Sequence, residues 1–276
     1  MRRLRLAPRR SPRHDDGMRI ALAQIASGDD VAANLGLVRD VVARAADAGA
    51  ELLLLPEYTM HERKRVDASF VAAAEPLDGP FGSAVADLAR SRGLPLVIGM
   101  VERDPAGGRP YNTLGAFDAD GGIAASYRKI HLFDSFGFRE SEWIAPAPEP
   151  LPVTVRLAGL TVGLLTCYDL RFPELARALA TEGADLLAVC SSWVPGPHKA
   201  EQWRTLARAR AIENGCLVAG VNQAEPISIG RSLVVSPDGE VLAEAEGGPA
   251  LVVVDVDPGE VTAARDRDPG LRLRRL

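Results

Sequence analysis

Residues 50–56 read AELLLLP and run straight into Glu57. Four successive leucines leave no polar face, and the run is too short for a helix. That pattern is a β-strand covered on both sides rather than one with a wet face. Working outward, residues 29–48 carry Val31, Leu35, Val38, Val41, Val42 and Ala45 at helical spacing, and residues 19–24 (RIALAQ) precede them as a short strand. On the other side, a helix over 82–93 follows the Pro80 turn and stops at a glycine. Strands follow at 96–102 (LVIGMVE) and 111–118 (YNTLGAFD), and the turn DADGG at 118–122 folds the latter back onto 124–127. Asp-Gly between two apolar runs is hairpin chemistry.

The second half repeats this logic. Segments 153–157 and 160–165 flank Gly159 as a hairpin, a helix spans 173–182, and residues 185–191 form a strand. A long helix over 199–214 closes at Gly215, and strands follow at 217–222, 232–236, 241–245 and 251–256. Hairpins mixed with strand–helix units predict an α/β protein with two mixed β-sheets and helices packed outside them. There is no glycine fingerprint GxGxxG, no phosphate-binding loop and no long linker. The segment 18–276 therefore reads as one domain.

Composition narrows the function. The chain has 276 residues and a net charge of −5, which argues against nucleic acid as a partner because polyanion binding needs a basic surface. No apolar run approaches the roughly 20 residues of a membrane span. Cys167, Cys190 and Cys216 form no CxxC or metal-finger pattern, so a reduced, cytoplasmic setting is expected. The first 17 residues, MRRLRLAPRRSPRHDDG, contain no apolar core of a secretory signal and are expected to be a disordered basic extension. The Arg-rich tail from Arg265 onward is expected to be peripheral.

Three places carry chemistry. In residues 163–174, GLLTCYDLRFPE, an apolar strand meets Cys167 and a helix begins near Phe172. A thiol there sits on a sharp strand-to-helix turn, where the helix N-terminus favours a thiolate and free backbone N–H groups, that of Tyr168 first, face an oxyanion. Cys190 lies inside an apolar strand and Cys216 beside apolar Leu217 and Val218, and both read as inert. Glu57 follows a buried strand at the sheet's carboxyl edge, where α/β proteins place ligands. A solvated loop carboxylate is the bland alternative. Lys129, in SYRKIHLFD, follows a strand among apolar neighbours; alone, it reads as a surface cation. None of His14, His61, His131 or His198 sits in a motif that pairs with Cys167, which shifts the base role to a carboxylate. Glu57 then takes the thiol proton, Cys167 attacks a carbonyl and Lys129 holds the oxyanion.

LLLLPE, YRKIHLFD and LLTCYDLRFPE, in this order, resemble the nitrilase superfamily of carbon–nitrogen hydrolases, and the resemblance continues through RPYNT (109–113), EQWRTLARARAIEN (201–214) and GRSLVVSPDGEVLAE (230–244). It implies an αββα sandwich, frequently paired as a homodimer or higher homo-oligomer, with Glu57, Lys129 and Cys167 as the motif residues. A further active-site glutamate best matches Glu140. Neither a metal nor an organic cofactor is implied. CYDLRFPE is similar to the branch of omega-amidases and deaminated-glutathione amidases, which implies a small amide as substrate, with ammonia and a carboxylate as products. GPHKAEQW at 196–203 departs from the GPxHW of omega-amidases. Hydrolysis of N-carbamoyl amino acids or aliphatic amides is the close alternative, and a catalytically silent binding subunit the distant one. Arg171, four residues after the thiol, reads either as a fork for a substrate carboxylate or as an ion-pair partner of Asp169 or Glu174.

Overall fold

The structure, a computed structural model, describes residues 17–275. The basic extension expected over residues 1–17 lies outside the described residues, Gly17 excepted. The first half runs β1 (Met18–Gln24), α1 (Val31–Asp47), β2 (Leu52–Leu54), α2 (Ala68–Ala73), α3 (Pro80–Arg92), β3 (Leu96–Glu102), β4 (Tyr111–Phe117) and β5 (Ile123–Arg128). The second runs β6 (Thr154–Leu157), β7 (Leu160–Thr166), α4 (Pro173–Thr181), β8 (Leu186–Ser191), α5 (Lys199–Asn214), β9 (Leu217–Asn222), β10 (Leu233–Val235), β11 (Val241–Glu244), β12 (Ala250–Val256), α6 (Gly259–Arg267) and α7 (Gly270–Leu273).

Two six-stranded sheets result, ordered β12-β1-β2-β3-β4-β5 and β11-β10-β9-β8-β7-β6. In the first, β1, β2 and β3 are parallel and the remaining pairs antiparallel. The second repeats the plan with β7, β8 and β9 parallel.

The leucines of residues 52–55 show why the strand must be apolar throughout. Leu52 and Leu54 join Ile20, Leu22 and Val97 in the core shared with Val162 and Leu164 of the second sheet. Leu53 and Leu55 join Ala21, Ala23 and Ile98 against Val38, Val42, Val85 and Ala89 of α1 and α3. Each face is thus buried against a different layer, and α4 and α5 contribute Leu175, Leu179, Trp203 and Ala207 to the core on the far side. The arrangement is a two-sheet α/β sandwich with outer helices.

Local chemistry sets the helix ends. The Asp30 carboxylate accepts from the N–H groups of Ala32 and Ala33 to open α1. Pro80 opens α3, and Gly93, at φ 58°, closes it in the left-handed region. Helix α2 was not legible as an element: it has six residues and buries only Phe70, too little for a periodicity. The tail from Arg265 lies at the surface as expected, with no buried residue over 265–275; Val261 and Ala264 of α6, just before it, are buried, and the Arg265 guanidinium donates to the Ala184 carbonyl at 2.6 Å.

Strand direction places the chemistry. β5 runs the same way as β2 and β3, being two antiparallel steps from β3. Glu57, Lys129 and Cys167 each follow the carboxyl end of a strand, with the first two on one sheet and the third on the other. Gly99 in β3 underlies Glu57: its N–H donates to the Pro56 carbonyl at 3.0 Å, and a Cβ there would meet Pro56 O and lie 2.6 Å from Glu57 Cα. Backbone cannot yield as a side chain does. Gly99→Ala is expected to cost about 1–3 kcal/mol of stability and, by displacing Glu57, on the order of 100-fold in turnover. Paired thermal melts and rate measurements check it; a normal rate with a lowered melting temperature would detach Gly99 from the site.

Candidate active site

Lys129 lies between two carboxylates. Its ammonium is 2.7 Å from Glu57 Oε1 and 2.9 Å from Glu140 Oε2, and all three side chains are at most 4% exposed. A buried cation needs such partners, since an unpaired charge in this environment is prohibitive. Around them, Asn112 donates through Nδ2 to Glu57 Oε1 at 2.7 Å and to Glu140 Oε1 at 3.0 Å. The Tyr58 hydroxyl donates to Glu140 Oε1 at 2.6 Å, and the Phe133 N–H to its Oε2 at 2.7 Å. The Ser192 N–H, just past β8, donates to Glu57 Oε2 at 2.7 Å.

Electrostatics follow from this packing. Burial pushes the Lys129 ammonium toward neutrality, but Glu140 and Glu57 outweigh it and hold its pKa well above the ordinary lysine range. Burial likewise opposes ionisation of Glu140, and Lys129 with the Tyr58, Phe133 and Asn112 donors overrides it, leaving this carboxyl below its usual range.

Cys167 directly follows β7 and starts a 3-10 turn over Cys167–Arg171, at φ 46°. A non-glycine residue in the left-handed region is strained, and such strain needs surrounding structure to hold it. The fully buried Asp169 supplies it: the Thr166 N–H, the Tyr127 hydroxyl and the His131 N–H all donate to its carboxylate at 2.7–3.1 Å. The helix opens at Pro173, beside the Phe172 expected, with a 3-10 turn between it and the thiol. The expected thiolate is corrected on electrostatic grounds. Burial and the adjacent Glu57 carboxylate push the Cys167 thiol well above its ordinary pKa, with Lys129 opposing them, so the resting sulfur is protonated.

Glu57, Lys129, Glu140 and Cys167 line a cavity of about 240 Å3. Tyr168 and Arg171 border a smaller pocket that also reaches Cys167, with Phe133, Trp193 and Lys199. Neither ion-pair partner foreseen for Arg171 is correct. Asp169 is fully buried and engaged as above, and Arg171 instead donates from Nη2 to Gln202 Oε1 at 2.7 Å, with its guanidinium 4.9 Å from the Trp193 ring centre. Its Nε is buried without a hydrogen-bond partner. The Lys199 ammonium lies 3.7 Å from the centre of the Phe136 ring and, among the described residues, pairs with no carboxylate. Burial, reinforced by Arg171, lowers its pKa.

Sequence reasoning missed Asn112, Tyr58, Ser192 and Glu62. Asn112 lies in the RPYNT stretch and Tyr58 directly follows Glu57, so both had positional signals. Ser192 acts through its backbone and left none.

A family model described as Carbon-nitrogen hydrolase matches residues 19–266. The chain belongs to the carbon–nitrogen hydrolases of the nitrilase superfamily, and is an enzyme of the hydrolase class. It is 47% identical over 92% of its length to a Mycobacterium tuberculosis (strain CDC 1551 / Oshkosh) protein named Hydrolase MT0498, covering 95% of that protein. It is 35% identical to the deaminated glutathione amidase of Escherichia coli O157:H7, over 94% of this chain and 98% of that one. The solved amidase of Nesterenkonia sp. AN1, a double mutant in complex with acrylamide, superposes with a TM-score of 0.80 at 32% identity, covering 98% of this chain and 97% of that one.

Proposed function

We propose that this protein is an amidase that hydrolyses a small linear amide through a thioester on Cys167. The observation that carries the reading is the buried Glu57–Lys129–Glu140 triad lining one cavity with Cys167. In the first stage Glu57 takes the thiol proton as Cys167 Sγ bonds to the amide carbon. The carbonyl oxygen becomes an oxyanion held by Lys129 and the Tyr168 N–H. On collapse the C–N bond breaks, and Glu57 returns its proton to the departing ammonia or amine. In the second stage Glu57 accepts a proton from water as its oxygen attacks the thioester. The C–S bond then breaks and the sulfur regains the proton. Glu140 fixes Lys129 from the opposite side. A protonated resting thiol fits this scheme, since the proton that leaves sulfur is the one the leaving group needs.

Ammonia or amine release from an amide panel, with Cys167→Ala as blank, tests the reading; carbon dioxide release would instead mark an N-carbamoyl substrate. No turnover of any panel member would favour a silent binding role.

Arg171 and Lys199, two cations beside the nucleophile that pair with no carboxylate among the described residues, favour an amide whose acyl chain carries an anionic group. Arg171→Met is expected to raise the KM for carboxylate-bearing amides at least about tenfold more than for neutral ones, the size of one charge-assisted hydrogen bond. Equal losses on both would leave Arg171 the packing partner of Trp193 and Gln202.

A further inference from the structure

Glu62 is a buried carboxyl group that the reaction above does not use. It is 3% exposed, lines the same cavity as Glu57 and Cys167, and its Oε2 has no hydrogen-bond partner. Two of the cations near it are engaged elsewhere. Lys129 is held by Glu57 and Glu140, and Arg63, the next residue, faces Asp29 and Asp67 at 3.4 and 3.5 Å. Burial drives the Glu62 pKa well above the ordinary carboxylate range against the pull of the Ser192 side chain, and the charges of Glu57 and Glu140 push it the same way. Burial thus favours the neutral acid, and among the described residues nothing hydrogen-bonds to Oε2.

Its position says what it reads. Ser192 holds Glu57 Oε2 through its N–H and interacts with Glu62 through its side chain, so the two carboxyl groups share one end of the cavity. Glu57 is the acid that protonates the departing nitrogen, so whatever that nitrogen carries extends past Glu57 toward Glu62. The same cavity is lined by Arg63, Lys64, Arg65 and Arg139, with Glu142 paired to Arg139 at 3.4 Å, so its charged lining is on balance basic and suited to acceptor oxygens.

We propose that Glu62 is a specificity-determining residue whose carboxyl group donates a hydrogen bond from Oε2 to an acceptor oxygen on the amine half of an N-substituted amide. This rests on the amidase reading and extends it from the acyl side to the leaving-group side. An ionised Glu62 binding a substrate ammonium is the opposite arrangement, and one variant series separates the two.

Succinamate and its N-carboxymethyl derivative share an acyl chain and differ only in the leaving group. Glu62→Ala is expected to raise the KM for the N-carboxymethyl amide about tenfold relative to that for succinamate. Glu62→Gln, neutral and still a donor, is expected to recover most of that loss. Infrared difference spectra of the wild type against Glu62→Gln at neutral pH are expected to show the carbonyl stretch of a protonated carboxyl group. Equal KM changes on both amides, no change on either, failure of glutamine to rescue, or absence of the protonated-carboxyl band would each overturn the proposal. Turnover of neither amide by the wild type fails the amidase reading and takes this proposal with it, an outcome distinct from any variant effect.

Discussion

Cys167→Ala is expected to fold normally and to hydrolyse no amide above background. The other two thiols offer no substitute. Cys190 and Cys216 are fully buried, and burial pushes Cys216 up to about 12 and Cys190 higher still. Removing one sulfur atom gives up the thiol's contact with Glu57 but leaves the hydrogen bonds of Lys129 to Glu57 and Glu140, and that of Thr166 to Asp169, in place. The melting temperature should therefore move by only a few degrees, at roughly 1 kcal/mol or less. Rates and melts measured together separate this from misfolding. Loss of activity in Cys190→Ala or Cys216→Ala with an active Cys167→Ala would reassign the nucleophile.

Lys129→Ala has the second largest expected effect, and it strikes turnover and stability together. Losing an oxyanion donor typically costs about 100- to 1000-fold in turnover. Its ammonium is also the counter-ion of two buried carboxylates, so its removal leaves Glu57 and Glu140 facing each other uncompensated. Breaking such a buried pair costs about 3–5 kcal/mol, or roughly 6–20 °C in melting temperature at this size. A surface lysine, the bland reading of the sequence, would show neither change. Lys129→Arg keeps the charge, but a planar fork does not fit a point 2.7 Å and 2.9 Å from two carboxylate oxygens, so its rate should fall comparably while its stability falls less. A mildly impaired Lys129→Ala enzyme would remove the residue from the mechanism.

Much of this architecture was legible because burial is written in composition. The leucines at 52–55 required covering on two faces, and the sandwich splits them two and two between its layers. Helix α5 is legible to the residue, because Gly215 closes it in the left-handed region. Glu57 and Cys167 were marked by their strand ends, whereas Lys129, a surface cation when read alone, stood out only in combination with them; the fold brings all three to one cavity. Glu140 was different. It sits on a one-turn 3-10 segment with no periodicity, and only the family resemblance pointed to it. Asn112 and Ser192 were hidden for a third reason: their roles depend on contacts with residues 55 and 135 positions away, which no local pattern encodes. The protonation of Cys167 was misjudged because a helix terminus can be read from sequence, whereas the depth of the sulfur beneath the surface cannot.

That resting proton on Cys167 has a consequence for how the enzyme meets oxidants. Peroxide attack and the descent to sulfenic and sulfinic acids begin from thiolate, and susceptibility follows thiolate character and exposure. Here the sulfur is 7% exposed and its ionisation is suppressed by burial and by Glu57. On the proposed mechanism the nucleophile forms only as a carbonyl accepts it, so the carboxylate proposed to take the thiol proton is also expected to slow oxidation of the sulfur between turnovers.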